Sequence, residues 1–159
     1  MMQRQGTKFA LASTGFGDGD FIPKKFTCDG ADVSPALSWT SPPQNTKALA
    51  LIADDPDAPA GTWTHWVLFD LPENARALPE NLAKIPELPD GSRQGKNDFG
   101  KVGFNGPCPP PGKPHRYFFK LYALDGKLGL AAGSGKQEVE NAIKAHTLAQ
   151  AQLVGKYRR

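Results

Sequence analysis

The sequence predicts a β-rich α+β fold with one C-terminal helix packed on the strands, and three observations lead to this class. Three runs of strand length carry many of the apolar residues, at 47–54, 63–71 and 116–124. The 17 glycines and 15 prolines are spread between such runs, where they mark turns rather than disorder. A helical period is strong only near the C-terminus, so strands and helices do not alternate as in βαβ folds.

The three long strands differ in their patterns. Residues 47–54 are almost continuously apolar, which is typical of a strand buried on both faces, and the run ends where prolines remove ladder N–H groups. Residues 63–71 lie between Gly61 and Pro72. Residues 116–124 alternate around Tyr117, Phe119, Leu121 and Ala123. Shorter extended segments are expected at 8–13, 21–22 and 36–39.

The single strong helical pattern covers residues 136–157, after Ser134-Gly135. Its apolar face follows a helical period through Val139, Ile143, His146 and Gln150 and is widened by Ala142, Ala149 and Leu153. We therefore expect His146 to be a packing or capping residue of this helix. A second, short helix is expected near residues 81–83.

Length and composition indicate one soluble globular domain spanning residues 1–159. Apolar residues make up 39% and charged residues 22%, and the net charge of +3 is spread along the chain, so no nucleic-acid-binding surface is predicted. No run is long enough for a signal peptide or a membrane span, which favours the cytoplasm. Two cysteines, Cys28 and Cys108, are expected as thiols there, with a bridge between their Gly/Pro-rich loops as the alternative.

Two segments combine polar side chains with stiff loops and form the candidate site. The first is Asp55-Pro56-Asp57-Ala58-Pro59, followed by Trp63-Thr64-His65-Trp66. The second is the loop at residues 103–112, which leads into His115-Arg116-Tyr117. Strand side chains alternate, so His115 and Tyr117 share one face and Arg116 points away, toward a surface or inter-strand ion pair. By the same rule Trp63 and Trp66 face opposite sides, one toward the site and one toward the core.

This combination of residue types suits a phosphate-like anion. Imidazole rings, a tyrosine hydroxyl and the amides of a glycine loop are donors to phosphate oxygens. A carboxylate, here Asp55 or Asp57, can orient a histidine ring and raise its proton affinity. The aromatic wall supplied by Trp63 or Trp66 would exclude water and strengthen these bonds.

Six ordered motifs carry a resemblance to a known family. They are Thr27-Cys28-Asp29-Gly30 with its continuation to Trp39, Asp55-Pro56-Asp57-Ala58-Pro59, Trp63-Thr64-His65-Trp66, Asn97-Asp98-Phe99-Gly100, Gly106-Pro107-Cys108-Pro109-Pro110 and His115-Arg116-Tyr117. Together they resemble the phosphatidylethanolamine-binding protein family, in particular its bacterial and archaeal branch, often described as Raf-kinase-inhibitor-like. One departure is Ser34-Pro35-Ala36, where the family often has two consecutive prolines.

The resemblance implies a central antiparallel sheet packed on a smaller one, and a small preformed surface pocket for phosphate-like anions or the phosphoryl head of phosphoethanolamine. The residues expected at the pocket are Asp55, Asp57, Trp63, His65, Gly106, Pro110, His115 and Tyr117. For Asp57 a structural role in the turn is the alternative. The far wall of the pocket has no assigned residue, and Asn97-Asp98-Phe99-Gly100 is expected to form a structural turn beside it. The branch also suggests a homodimer.

Three functions remain open at this point. The first is a regulatory binding protein, acting on a kinase or a protease and having no enzymatic activity. The second is a hydrolase of a phosphoester or another ester that uses a histidine–aspartate pair as general base, although no nucleophile is recognisable. The third, a metal site of two histidines and one aspartate, is disfavoured by the proline-rich loop. Gly133-Ser134-Gly135-Lys136 lacks the rest of a phosphate loop, so no cofactor is expected.

Overall fold

The computed structural model describes residues 8–159 and contains two antiparallel sheets and one α-helix. The larger sheet has the strand order β6-β4-β3-β7-β8, and the smaller has the order β1-β2-β5. The strands are β1 (Leu11–Ala12), β2 (Leu37–Trp39), β3 (Ala48–Asp55), β4 (Trp63–Pro72), β5 (Ala77–Leu78), β6 (Arg93–Gln94), β7 (His115–Leu124) and β8 (Thr147–Tyr157). The helix α1 spans Lys136–His146. This is the β-rich α+β architecture that the sequence predicts.

The larger sheet is covered on both faces, which explains the almost continuous apolar run in β3. All eight residues of β3 are buried. Leu49 and Leu51 pack in the core shared with the smaller sheet, whereas Ala50 and Ile52 pack in a second core against α1. Burial of each of the leucine and isoleucine side chains contributes about 1.5–3 kcal/mol. The bounds of β3, β4 and β7 agree with the predicted strands to within one residue at each end.

The predicted helix over residues 136–157 is wrong in its second half. α1 ends at His146, and residues 147–157 form β8, which pairs antiparallel with β7 from Leu124↔Thr147 to His115↔Tyr157. A spacing of four residues, as between Ala149 and Leu153, fits both the helical period of 3.6 and the strand period of two. The buried positions of β8 are 151, 153, 155 and 157, so the actual period is two. Pairing with the full length of β7 outweighs the helical propensity of this segment.

His146 also departs from its predicted role. Its side chain is 40% exposed rather than packed on the apolar face, and its Nδ1 lies 2.7 Å from Oδ1 of Asp125. It stands in the last helical turn, where a carboxylate from the loop after β7 reaches it.

Three short elements differ from the prediction. Residues 81–83 are not helical: Asn81 has a φ of 60°, and the backbone N–H groups of Asn81 and Leu82 donate to the carbonyl and the hydroxyl of Ser34. A 3₁₀ helix at Lys24–Phe26 and the two-residue strands β5 and β6 were not predicted. The extended segments at 8–13, 21–22 and 36–39 correspond to β1, a single bridge from Phe21 to Lys156, and β2.

The two cysteines form a disulfide, which corrects the expectation of free thiols. The Cα atoms of Cys28 and Cys108 are 5.4 Å apart, and the backbone N–H of Cys28 donates to the carbonyl of Pro107 at 3.1 Å. The loop after the 3₁₀ helix therefore lies directly against the proline-rich loop before β7. Between residues 8 and 159, no helix is long and apolar enough to cross a membrane. The predicted single domain includes residues 1–7, which lie outside the described residues.

Candidate functional site

The candidate site is a cavity of about 330 Å³ at one end of the larger sheet, where β3 ends and β4 and β7 begin. Antiparallel pairing brings these three strand ends together, so Asp55, His65 and His115 meet although they are far apart in sequence. The residues that line the cavity are Asp55, Ala58, Pro59, Ala60, Trp63, His65, Phe99, Cys108, Pro109, Pro110, His115 and Tyr117. Six of the eight predicted site residues are among them; Asp57 and Gly106 are not.

A histidine–carboxylate pair forms the polar centre of this cavity. His115 Nδ1 lies 2.7 Å from Oδ2 of Asp55, and both side chains are nearly buried, with exposed fractions of 12% and 4%. The other carboxylate oxygen of Asp55 accepts the backbone N–H of Asp57 at 2.7 Å. Asp55 is therefore fixed by two hydrogen bonds, and it fixes the orientation of the His115 ring in turn.

His65 is held by the backbone of the facing loop. Its Nδ1 lies 2.7 Å from the carbonyl oxygen of Asn105, so the hydrogen is on Nδ1 and donates to that carbonyl. Burial lowers the pKa of His65, which favours the neutral ring. Nε2 is then an unprotonated nitrogen on a ring that lines the cavity.

The ring of Tyr117 lies close to both histidine rings. Its ring centroid is 5.3 Å from that of His65 and 6.4 Å from that of His115. Burial, together with the nearby charge of Asp55, raises the pKa of Tyr117 well above its usual value. The phenol therefore keeps its proton and is a hydrogen-bond donor at the cavity.

Asp57 has a structural role outside the cavity. Its carboxylate accepts three hydrogen bonds of 2.9 Å from the backbone N–H, Nε and Nη2 of Arg116. These bonds lower the pKa of Asp57 to about 2. The pair fastens the loop after β3 to the start of β7, and the ion pair predicted for Arg116 is confirmed.

Gly106 also lies behind the cavity rather than at it. Its N–H donates to Oδ1 of Asp32 at 2.7 Å, and a Cβ at this position would lie 2.1 Å from the carbonyl oxygen of Phe26. Only glycine fits this close approach. Within residues 106–112 the N–H of Gly112 donates to the carbonyl of Arg159, and prolines 107, 109, 110 and 111 have none. The loop thus offers a ligand at most the amide of Cys108, far fewer donors than the sequence suggested.

The far wall, which had no assigned residue, contains Phe99 and the disulfide-bonded Cys108. Phe99 belongs to the turn predicted beside the site, where Asp98 Oδ2 accepts the N–H of Thr64 at 2.7 Å. The ring of Phe99 packs edge-on against Trp63 at 5.5 Å, and both are more than a third exposed at the rim. Trp66 is fully buried in the core, as the alternation predicts. A bulky aromatic in a turn otherwise made of polar residues and glycine was the sequence signal for this wall.

The charges of the cavity are few. Of its described lining residues, the only acidic one is Asp55 and none is lysine or arginine. In residues 8–159 no group of three or more histidine, cysteine, aspartate or glutamate side chains is placed to hold a metal ion. The chemistry of the cavity therefore rests on two imidazoles, one carboxylate, one phenol and the indole of Trp63 at the rim.

Comparisons with known proteins agree with this fold. A sequence model of the family described as phosphatidylethanolamine-binding protein matches residues 12–158. A UPF0098 protein of Methanothermobacter thermautotrophicus is 52% identical over 149 residues, covering 94% of this chain and 98% of that protein. The UPF0098 protein YbhB of Escherichia coli is 36% identical over 155 residues, covering 92% and 98%.

Solved structures that are similar to this one include two members or homologues of the same family. The crystal structure of E. coli YbcL, described as a new member of the mammalian phosphatidylethanolamine-binding protein family, has a TM-score of 0.89 at 34% identity and covers 96% of this chain and 99% of that one. A phosphatidylethanolamine-binding protein homologue from Chlamydia trachomatis has a TM-score of 0.85 at 36% identity, covering 95% and 97%.

Proposed function

Since the chain belongs to the phosphatidylethanolamine-binding protein family, we propose that its cavity binds phosphate-like anions or phosphoryl head groups. The observation that carries this proposal is the Asp55–His115 pair, which holds one imidazole in a fixed orientation at a preformed cavity. A hydrogen bond from a charged imidazole to an oxyanion is about twice as strong as one between neutral groups.

The size and walls of the cavity support the same ligand class. At about 330 Å³ it is at the lower end of the range for small-molecule sites, which suits a head group better than a large metabolite. Its walls are mostly aromatic rings and prolines, which exclude water and strengthen the polar contacts inside. Trp63 and Phe99 at the rim provide apolar surface for whatever carries the phosphoryl group.

We favour binding over catalysis because the cavity offers no evident nucleophile. Among the described lining residues, the only cysteine is in a disulfide, and the only hydroxyl is the phenol of Tyr117, whose raised pKa makes it a poor nucleophile. In this proposal a regulatory role follows from binding, through a partner kinase or protease that carries or competes with the phosphoryl group.

A hydrolase is the second candidate, and one observation favours it. His115 and Asp55 have the geometry of a general-base pair, in which a carboxylate orients the imidazole that would activate a water molecule. Such an enzyme would use water as its nucleophile.

Calorimetric titration with phosphoethanolamine and inorganic phosphate tests the proposal, with hydrolysis of generic phosphoesters and carboxylic esters assayed alongside. The matched pair of variants is His115→Ala and His146→Ala, because His146 makes the same 2.7 Å contact with a carboxylate, that of Asp125, far from the cavity. We expect saturable binding that His115→Ala abolishes and His146→Ala leaves unchanged, without turnover. Turnover that only His115→Ala removes would support the hydrolase instead. Absence of binding to either compound would overturn the proposed anion-binding function.

The cytoplasmic location and the homodimer remain proposals. Disulfides persist mainly in oxidising compartments and in the cells of hyperthermophiles, so the Cys28–Cys108 bond weakens the cytoplasmic prediction. Trapping the thiols in intact host cells would test the location, and sedimentation of the purified chain would test the dimer.

A further inference from the structure

The hydrogen-bonding groups of the cavity point to a proton that enters with the ligand. We infer that binding of a fully ionised oxyanion is coupled to uptake of one proton, which His115 holds on Nε2. This inference rests on the proposed function and specifies how the same site takes its ligand.

The first step is the count of acceptors. His115 Nδ1 lies against Asp55 Oδ2, and His65 Nδ1 lies against the carbonyl of Asn105, both at 2.7 Å. When the rings are neutral, these contacts place the hydrogen of each on Nδ1 and leave a lone pair on Nε2. The nearby Asp55 carboxylate is a further acceptor. A fully ionised oxyanion also offers only acceptors, so these groups repel it.

The second step is the shortage of donors. Among the described lining side chains, only the phenol of Tyr117 and the indole of Trp63 have a donor hydrogen besides the two histidines, and the proline-rich loop offers at most the Cys108 amide. No lysine or arginine is among the described lining residues. A phenol, an indole and an amide are all neutral donors, so they leave the charge of a phosphate or sulfate group without a compensating cation.

Protonation of His115 resolves both problems. An imidazolium donates from both nitrogens, so Nδ1 keeps its bond to Asp55 while Nε2 donates to the oxyanion. The carboxylate of Asp55 and the ligand then flank the positive ring, which removes the repulsion between two anions. The ligand itself favours the imidazolium, so the ring gains its proton as the ligand binds.

The neighbouring elements single out His115 rather than His65 as the proton acceptor. His65 donates to a neutral carbonyl, and burial lowers its pKa. The groups that face or flank His115 are Asp55 on β3, the Asp57–Arg116 pair at the loop, His65 on β4, Tyr117 on β7, Tyr157 on β8 and the Asp29–Arg159 pair beside Tyr157. Asp57 and Arg116 neutralise each other, as do Asp29 and Arg159, so Asp55 is the charge left to favour an imidazolium.

Calorimetry at about pH 8 in buffers of different ionisation enthalpy counts the protons, with sulfate and phosphoethanolamine as probes. Sulfate has no titratable proton near neutral pH, so any proton taken up with it must be on the protein. We expect about one proton per sulfate bound, and affinity that falls about tenfold per pH unit above neutrality.

The other outcomes are distinct. Sulfate binding without uptake, or phosphoethanolamine binding with no sulfate binding, would overturn the coupling while leaving the proposed function intact. Failure of both probes to bind would overturn the proposed function, and the coupling with it.

Substitution His115→Gln provides the matched variant, because its amide donates to an oxyanion without titrating. Because a neutral amide does not offset the charge of Asp55, we expect this variant to bind sulfate more weakly than the wild type, with almost no proton uptake and with little pH dependence, whereas His146→Gln keeps the wild-type affinity and uptake. Uptake that persists in His115→Gln would overturn the assignment. Nitrogen NMR of the wild-type rings gives a readout that does not depend on a variant folding: sulfate should protonate Nε2 of His115 and leave His65 neutral.

Discussion

Removal of the Cys28–Cys108 disulfide, by the double substitution Cys28→Ser and Cys108→Ser, is expected to lower the free energy of unfolding substantially. The bond closes a loop with a sequence separation of 80, for which the chain-entropy relation gives about 4.5 kcal/mol. Native contacts between the same loops, such as the Cys28 N–H to the Pro107 carbonyl, do not depend on the bond. The folded loops should therefore stay close together, and most of the loss should arise from greater freedom of the unfolded chain.

Urea unfolding, followed by the fluorescence of the buried Trp39 and Trp66, measures this loss. We expect a decrease of about 4 kcal/mol and a steeper dependence on urea, because the unfolded chain without a cross-link exposes more surface. Because Cys108 lines the cavity, the dissociation constant for phosphoethanolamine should also rise. A loss below about 1 kcal/mol, or two free thiols in protein unfolded without reductant, would refute the reasoning.

Two further predictions concern residues behind the cavity. Gly106→Ala would place a Cβ 2.1 Å from the carbonyl oxygen of Phe26, so we expect a loss of about 2 kcal/mol or more in stability together with weaker anion binding, measured by thermal unfolding and calorimetry. The control is Gly135→Ala, where a Cβ meets no atom within 4 Å; equal losses in both variants would contradict the account. The Asp57–Arg116 pair stabilises the fold above the ordinary aspartate pKa of 3.8, and this contribution is lost as pH falls toward the folded pKa of about 2. Asp57→Asn should remove this pH dependence from the free energy of unfolding in urea. It should cost at most about 1 kcal/mol near neutral pH, because the pair is partly exposed. A variant whose stability falls with acid as steeply as that of the wild type would contradict this role of the pair.

The site was largely predictable because its residues lie at strand ends that the sequence marks clearly. Prolines that follow β3 end this strand at Asp55. A run of prolines also precedes β7, which begins at His115. Alternation then places His115 and Tyr117 on one face. The same rule could not separate Asp55 from Asp57, because the second aspartate lies in a turn, where side-chain direction has no period.

Two parts of the structure were not predictable from local pattern. Residues 147–157 contain Ala149 and Leu153 at a spacing that suits a helix, and only the presence of β7 as a pairing partner selects the strand. The disulfide depends on two loops that are distant in sequence meeting in space. Both outcomes are set by long-range contacts, which a local sequence pattern does not contain.

Nitrogen and carbon NMR of the three histidine rings during titration with phosphoethanolamine tests the central claim most directly, because the chain has two histidines at the cavity and one away from it. The account predicts that the ring resonances of His115 and His65 shift together and saturate at one equivalent, while those of His146 stay in place. Shifts confined to His146, or equal small shifts of all three rings without saturation, would contradict a phosphoryl-binding cavity built on the Asp55–His115 pair.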